Sequence, residues 1–482
     1  MIFSSGVFLF IFLPIILVGN FLLKKEFKNI FLLIGSLIFF AWGGVSYSAI
    51  LILSLLINYF SGLAINYFKG TKKKTSLIIA IILNIGVLGT FKYADFIVEN
   101  INHLSNLFKF TEIKAPGIIL PIGISFYTFQ AMSYIIDVYR EEVGVQKNFF
   151  KLALYISFFP QLIAGPIVRY KDIEKQINER KDNIINLTLG IQRFVLGLVK
   201  KVIIADQFAL VADTVFNISD SNLGFITAWI GIAAYTIQIY FDFSGYSDMA
   251  IGLGKMFGFQ FPENFNFPYI AKSIREFWQR WHITLSSWFR NYLYFSLGGN
   301  KKSQSRTIIN LLIVFFATSI WHGANWNFVI WGMTHGFFMM LERLGLAKIL
   351  NKLWTPIQHI YTLFIVMTAW IFFRSPDFSH GYQFLLSLFN FQNSEISYEV
   401  KSLVFTNLFL TTSIIALISC TPFWLILKRN INNLTLHLNH KIRNLLGLSY
   451  QIGESLTICS GLYISSIIII SDSYSPFIYF QF

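Results

Sequence analysis

The sequence predicts an all-α, polytopic integral membrane protein. Two compositional facts lead there: only 13% of the chain is charged, while 55% is apolar. A third is that long windows run without Asp, Glu, Lys or Arg. An ordinary soluble domain carries roughly 25% charged residues, about twice as many. A chain of 482 residues with so few charges is covered by lipid rather than by water.

The charge-free windows follow in order. Residues 2–23 form the first and are read as the first span, because no basic stretch precedes them and no small-residue cleavage site follows. Residues 29–68 are long enough for two spans and break at Gly43-Gly44 but for Lys28 at the edge. Further windows are 75–91, 115–136, 152–168, 221–241, 307–341, 353–373, 402–427 and 455–471. A span needs about 20 apolar residues, so the windows predict roughly ten to thirteen membrane helices, the shorter ones being re-entrant or tilted. No Pro/Gly/Ser-rich linker divides residues 1–482, which read as one membrane domain.

The net charge of +14 is concentrated beside these windows. Lys24, Lys25 and Lys28 form one cluster, and Lys69, Lys72, Lys73 and Lys74 another. Arg169, Lys171, Lys175, Arg180 and Lys181 form a third, interleaved with Asp172, Glu174, Glu179 and Asp182. Short basic loops stay cytoplasmic, and the first two clusters lie two spans apart, so they agree on an N-terminus outside. Their position against apolar spans excludes nucleic acid as a partner and makes membrane lipid the surrounding medium. Cys420 and Cys459 lie in apolar segments and offer no ligand spacing.

The middle polar stretch, 260–306, is the most informative. Ile274, Phe277, Trp278, Trp281, Leu285, Trp288, Phe289 and Tyr292 recur at helical spacing and predict one amphipathic helix. With Lys272, Arg275, Arg280 and Arg290 on it, that helix lies in the interface or leans into a protein cavity. His282 sits in its aromatic run. Just upstream, Asp242 and Asp248 continue from an apolar span; a carboxylate at that depth is either functional or paired with one of the arginines further along. Gly252-Leu253-Gly254-Lys255-Met256-Phe257-Gly258 is no dinucleotide fingerprint, since its last spacing is too long; Gly254 and Gly258 read as a small-xxx-small helix contact.

His322 lies inside the long window 307–341, flanked by Trp321, Gly323, Ala324 and Asn325. A lone histidine on an apolar face is commonly a satisfied structural group. Here the intramembrane setting, the small residues that leave room beside the ring and an asparagine placed to orient it favour a functional role. A neutral imidazole can take the proton of a hydroxyl attacking a thioester carbonyl, a contribution of about 10² to 10⁴ in rate. No metal is expected, because His282, His322 and His335 lack ligand spacing.

Taken together, these segments resemble the membrane-bound O-acyltransferase family. The likeness is strongest to the bacterial branch that O-acetylates alginate and related envelope polysaccharides. It is carried by FFPQLIAGPIVRY at 158–170, YFDFSGYSD at 240–248, PENFN at 262–266 and FWQRWHITLSSWFR at 277–290. LGGN at 297–300, WHGANW at 321–326 and the closing FIYFQF at 477–482 complete the set. The resemblance implies that His322 is the catalytic histidine and His282 the second functional one. Trp321, Asn325, Arg280, Trp281, Asp242 and Asn291 are the expected binding or supporting residues. It implies membrane helices around a central funnel and a multi-pass protein of the bacterial inner membrane. It further implies an acetyl-CoA donor on the cytoplasmic side with no permanently bound cofactor, an envelope polysaccharide acceptor, and a periplasmic or extracytoplasmic partner protein. Asn291 departs from the aspartate expected in many relatives. D-alanyl or other acyl transfer to teichoic acid is the nearer alternative, and a glycan transporter or flippase the more distant one. GANW after His322 and LGGN favour the acetylating branch.

Overall fold

The computed structural model describes residues 1–108, 111–180, 183–219, 223–392, 394–435 and 440–471, and these are helical and strand-free. The closing 477–482 segment, Lys181 and Asp182 lie outside the described residues.

Five described helices are long and apolar enough to cross a membrane: Val45–Tyr67, Gly70–Leu107, Gln304–His322, Thr355–Arg374 and Lys441–Ser471. Tyr398–Val404 and Asn407–Ser419, bent by 67°, form a sixth when taken as one span. The remaining windows take other forms. Residues 2–23 hold the shorter apolar helix Phe8–Leu22. Window 115–136 is non-helical until Gly123, whose φ of +76° precedes the Ile124–Tyr139 helix. Window 152–168 breaks at Phe158 into Phe149–Ser157 and Phe159–Leu162, with Pro160 in the first turn of the second helix. Window 221–241 belongs to the 32-residue helix Phe225–Met256, which is buried along most of its length. An apolar window reports burial, and in these segments much of the burying is done by protein rather than lipid.

The Phe225–Met256 helix is the central element, and it packs along Ile184–Val199. Glycines permit the approach. A Cβ on Gly197 would lie 2.5 Å from the Gly245 carbonyl oxygen, and one on Gly190 would lie 2.7 Å from that of Gly252. The small-residue contact therefore exists, but not at the expected pair. Gly254 faces the Phe261 ring, and Gly258, at φ +79°, turns the chain out of the helix. Around this axis lie two apolar cores. One joins the N-terminal helices to Ile124–Tyr139 and Phe149–Ser157. The other joins Asp206–Phe216, the Ile274–Arg280 helix and Thr355–Arg374. Outward-facing Ile11, Ile15, Val18, Phe21 and Leu22 present the apolar surface that lipid covers.

The basic clusters gather at one end. Asn29 donates to the Ile177 carbonyl at 2.9 Å and accepts from Arg180. Lys73 pairs with Glu141 at 2.6 Å and Lys171 with Glu142 at 2.5 Å. Burial of Glu142 is slight, and the Lys171 ammonium holds its carboxyl below the usual range.

Candidate active site

The stretch read as one amphipathic helix is two. Ile274–Arg280 and Ile283–Trp288 are separated at Trp281-His282, and a π-helical turn, Phe289–Tyr294, follows. All eight residues of the predicted apolar face are buried. The break has a partner. Asn266 N–H donates to the Arg280 carbonyl at 2.9 Å, and Ile283 N–H donates to that of Asn264 at 2.9 Å. The loop after Pro262 thus satisfies backbone groups that a continuous helix would have paired internally. His282 sits at the break with φ +42°, left-handed and strained for a residue with a Cβ.

His282 is fully buried. Its ring lies 4.7 Å from Phe243, 6.3 Å from Phe126 and 6.1 Å from Trp321. His322 reaches the same place from the C-terminal end of Gln304–His322, its ring 5.0 Å from Trp321, 4.8 Å from Trp331 and 5.4 Å from Phe373. Trp321 therefore stands between the two histidines predicted from sequence. About 27 Å of helix separates Gln304 from His322 at 1.5 Å per residue, so His322 lies at the opposite end of that helix from the LGGN loop.

Two neighbours of His322 have other tasks than those expected. Asn325 does not orient the imidazole. It caps the Trp326–Leu341 helix, accepting from Asn327 N–H at 2.9 Å and donating to the Pro376 carbonyl at 3.2 Å. Gly323 leaves no vacant space, because a Cβ there would lie 2.1 Å from the Phe328 ring. The chain folds back sharply after His322, and the small residues serve that turn.

The other expected residues are placed as follows. Trp281 is buried among Phe265, Phe277 and Trp370, all 5.1–5.6 Å away. Arg280 pairs with Glu276 at 2.8 Å and donates to the Asn266 carbonyl at 3.0 Å, which braces the break. Asp242 pairs with Lys201 at 2.9 Å, together with Asp206 at 2.7 Å, rather than with an arginine further along. Asp248 pairs with Arg193 at 2.7 Å and Lys200 at 2.6 Å, both upstream of it and neither among the arginines further along. Asn291 receives Arg140 on its backbone carbonyl at 3.2 Å. Of the two cysteines, Cys420 is buried and Cys459 is exposed.

Sequence reasoning missed four residues here. Lys92 donates to the carbonyls of Trp321 and His322, at 2.6 and 3.0 Å. Tyr93 donates to that of Ile320 at 2.7 Å. Asn264 holds His282 Nδ1 at 3.1 Å. Glu342 accepts from the N–H groups of Ile274 and Arg275 at 2.6 and 3.0 Å, fixing the helix start. Only Asn264 lay in a quoted motif, and none stands beside its partner in sequence.

A cavity of about 790 Å³, within the roughly 300–1,000 Å³ of small-molecule sites, is lined by Ile283, next to His282 in sequence, and by Thr318 on the helix that ends at His322. Arg275, Arg290, Arg343 and Asn300 line it, with Trp278 and Phe315 also on its wall. Trp278 meets Trp331 at 5.8 Å, and Trp331 meets His322. Aromatic contacts through Trp278 and Trp331 therefore connect the wall of the arginine-lined chamber to His322.

This arrangement accords with what the chain is similar to. Residues 140–375 match the model of the membrane-bound O-acyltransferase family. A probable alginate O-acetylase of Pseudomonas putida is 40% identical over 490 residues, covering 100% of both chains. The chain belongs to the membrane-bound O-acyltransferase family. The match takes in both histidines, the break at His282 and the cavity. A peptidoglycan O-acetyltransferase of Helicobacter pylori is 38% identical over 413 residues, 78% of this chain and 77% of that one. A teichoic acid D-alanyltransferase of Bacillus subtilis is 30% identical over 232 residues, 45% of this chain and 58% of that one. The acyltransferase is thus a multi-pass membrane enzyme of the O-acetyltransferase kind.

Proposed function

We propose that this acyltransferase takes acetyl from cytoplasmic acetyl-CoA and delivers it for O-acetylation of an envelope polysaccharide, through His322 and His282, at the bacterial inner membrane. The observation that carries this reading is the placement of both histidines on one buried tryptophan, beside an arginine-lined cavity. Whole-length similarity to an alginate O-acetylase supports acetyl over D-alanyl transfer, since likeness to the D-alanyltransferase covers less than half of the chain.

In this reading the cavity seats the donor. Guanidinium groups bind phosphate oxygens through paired hydrogen bonds, so Arg275, Arg290 and Arg343 suit the phosphates of coenzyme A. Acceptor oxygen then attacks the thioester carbonyl. The C–O bond forms as His322 takes the hydroxyl proton; the C–S bond breaks, and the same proton passes to the departing thiolate. Confinement of donor and acceptor supplies much of the remaining acceleration. Because a polymer outside the membrane is distant from the donor, an extracytoplasmic partner protein completes the transfer.

The test is ester-linked acetate on isolated envelope polymers. A deletion strain complemented with wild type is compared with one carrying His322→Ala at matched membrane abundance. Acetate restored by wild type alone is the expected result, and the fraction bearing it names the polymer. Equal acetate in both strains removes His322 from the chemistry.

A further inference from the structure

Asn264 fixes more than the position of His282. Its Oδ1 accepts from the Thr284 backbone N–H at 3.2 Å and from the Thr284 hydroxyl at 2.8 Å. That hydroxyl in turn accepts from the Ile167 N–H at 3.0 Å. A backbone N–H can only donate, so the Asn264 atom facing Thr284 is its oxygen, and the amide has one orientation. His282 Nδ1, 3.1 Å from the same oxygen, therefore carries the ring proton. The lone pair falls on Nε2, which is buried and has no hydrogen-bond partner among the described residues.

His335 is also buried with ring nitrogens unpaired among the described residues, so what sets His282 apart is a tautomer fixed by Asn264 together with a left-handed backbone. Leaving a ring nitrogen buried and unpaired costs about 1–3 kcal/mol. The left-handed backbone at His282 adds a cost of similar size, roughly 1–3 kcal/mol. Two backbone bonds from the 264–266 loop hold that strained turn in place. Neither cost improves packing, and both are explained if Nε2 receives a ligand.

We propose that Asn264 is a positioning residue: by holding the Nδ1–H of His282 it sets the tautomer in which Nε2 accepts a hydrogen bond from a substrate O–H. The assignment rests on the acetyl-transfer reading above. The hydrogen-bond chain begins at backbone amides, so it has a fixed polarity and cannot reverse to put the ring proton on Nε2. The other titratable groups facing this point are His322, across the Trp321 ring, and Lys92, 5.9 Å from the centre of that ring. Asp242, beside Phe243 in sequence, is engaged with Lys201.

The experiment uses washed membranes with the full-length protein, acetyl-CoA as donor and endogenous envelope polymer as acceptor, scoring polymer-bound acetate. Asn264→Leu is expected to lower kcat about a hundredfold, with the KM for acetyl-CoA within about twofold of wild type. Asn264→Asp keeps an acceptor oxygen and is expected to retain most of the maximal rate. Its carboxylate favours the protonated ring, so the acid limb of its pH–rate profile moves to higher pH. Wild-type kcat in Asn264→Leu overturns the assignment. So does equal impairment of both variants at every pH and matched membrane abundance. Should Asn264→Leu fail to accumulate, Asn264→Asp decides, and an unmoved acid limb overturns the proposal. His322→Ala at full activity would strike the parent reading instead, whereas an inactive His322→Ala beside a wild-type-like Asn264→Leu strikes this inference alone.

Discussion

Lys92 Nζ lies 3.0 Å from the carbonyl oxygen of His322 and 2.6 Å from that of Trp321, and it also reaches Ser125 Oγ at 3.2 Å. The last carbonyls of a helix have no intrahelical donors. Here the half-buried Lys92 side chain supplies one, at the end where negative partial charge accumulates. The contact spans 230 residues of sequence and fixes the turn that carries the proposed base.

Removing that donor while keeping the volume should therefore cost both stability and activity. In Lys92→Met, buried carbonyls lose their donor at about 1–3 kcal/mol each. The expected result is a lower melting temperature in detergent and a loss of acetyl transfer beyond any loss of protein. Unchanged melting and unchanged specific activity would show that the His322 turn stands without Lys92.

A fully buried lysine is predicted to matter for folding alone. Lys201 lies 2.7 Å from Asp206 and 2.9 Å from Asp242, with all three side chains buried. Lys201→Met strands two carboxylates away from water, a change that costs roughly 3–5 kcal/mol. Loss of membrane-inserted protein is expected. Adding Asp242→Asn to Lys201→Met should recover part of the abundance, because one stranded charge is removed. Specific activity per folded molecule should hold in the double variant; its collapse would give Asp242 a role in the site.

How much of this was legible beforehand depends on what each signal measures. Absence of charge over 20 residues reported burial, which secured the membrane class. It did not distinguish lipid from protein as the burying medium, so window 221–241 became part of the sheathed Phe225–Met256 helix. His322 stood out as an ionisable ring in a charge-free window, and His282 as one in the middle of an aromatic run. Their supports did not, since Lys92 and Asn264 act across folds of the chain. Asn325 was misread although its local signal was present. An asparagine two residues before a paired N–H is a helix cap, and that alternative needs no distant partner. The predicted single helix over 274–292 failed for a related reason. Periodicity survives the two-residue break at Trp281-His282 when all the apolar side chains are still buried.

The arginine-lined cavity yields a kinetic prediction. If Arg343 contacts donor phosphate, Arg343→Glu replaces attraction with repulsion at the seat but leaves the histidines untouched. The KM for acetyl-CoA should rise about tenfold or more, with kcat changed far less. Raising ionic strength should weaken wild type and narrow the gap between the two, since the contact is electrostatic. A fall in kcat at constant KM would move Arg343 out of the seat.

The turn after His322 yields the last. Gly323 is extended, so its backbone tolerates any residue, and only space forbids a side chain. A Cβ there would lie 2.1 Å from Phe328 Cε2 and 2.3 Å from its Cδ2. Gly323→Ala therefore forces the Phe328 ring or the turn to move, at a cost of about 1–3 kcal/mol for overpacking. Phe328 packs on Phe373 at 5.1 Å, and Phe373 packs on His322 at 5.4 Å, so displacement passes directly to the imidazole. The variant is expected to insert, to melt lower and to transfer acetyl poorly. Adding Phe328→Leu to Gly323→Ala should restore part of both by making room. Failure of that second change to restore activity, with melting recovered, would show that the glycine acts on the site by something other than the Phe328 contact.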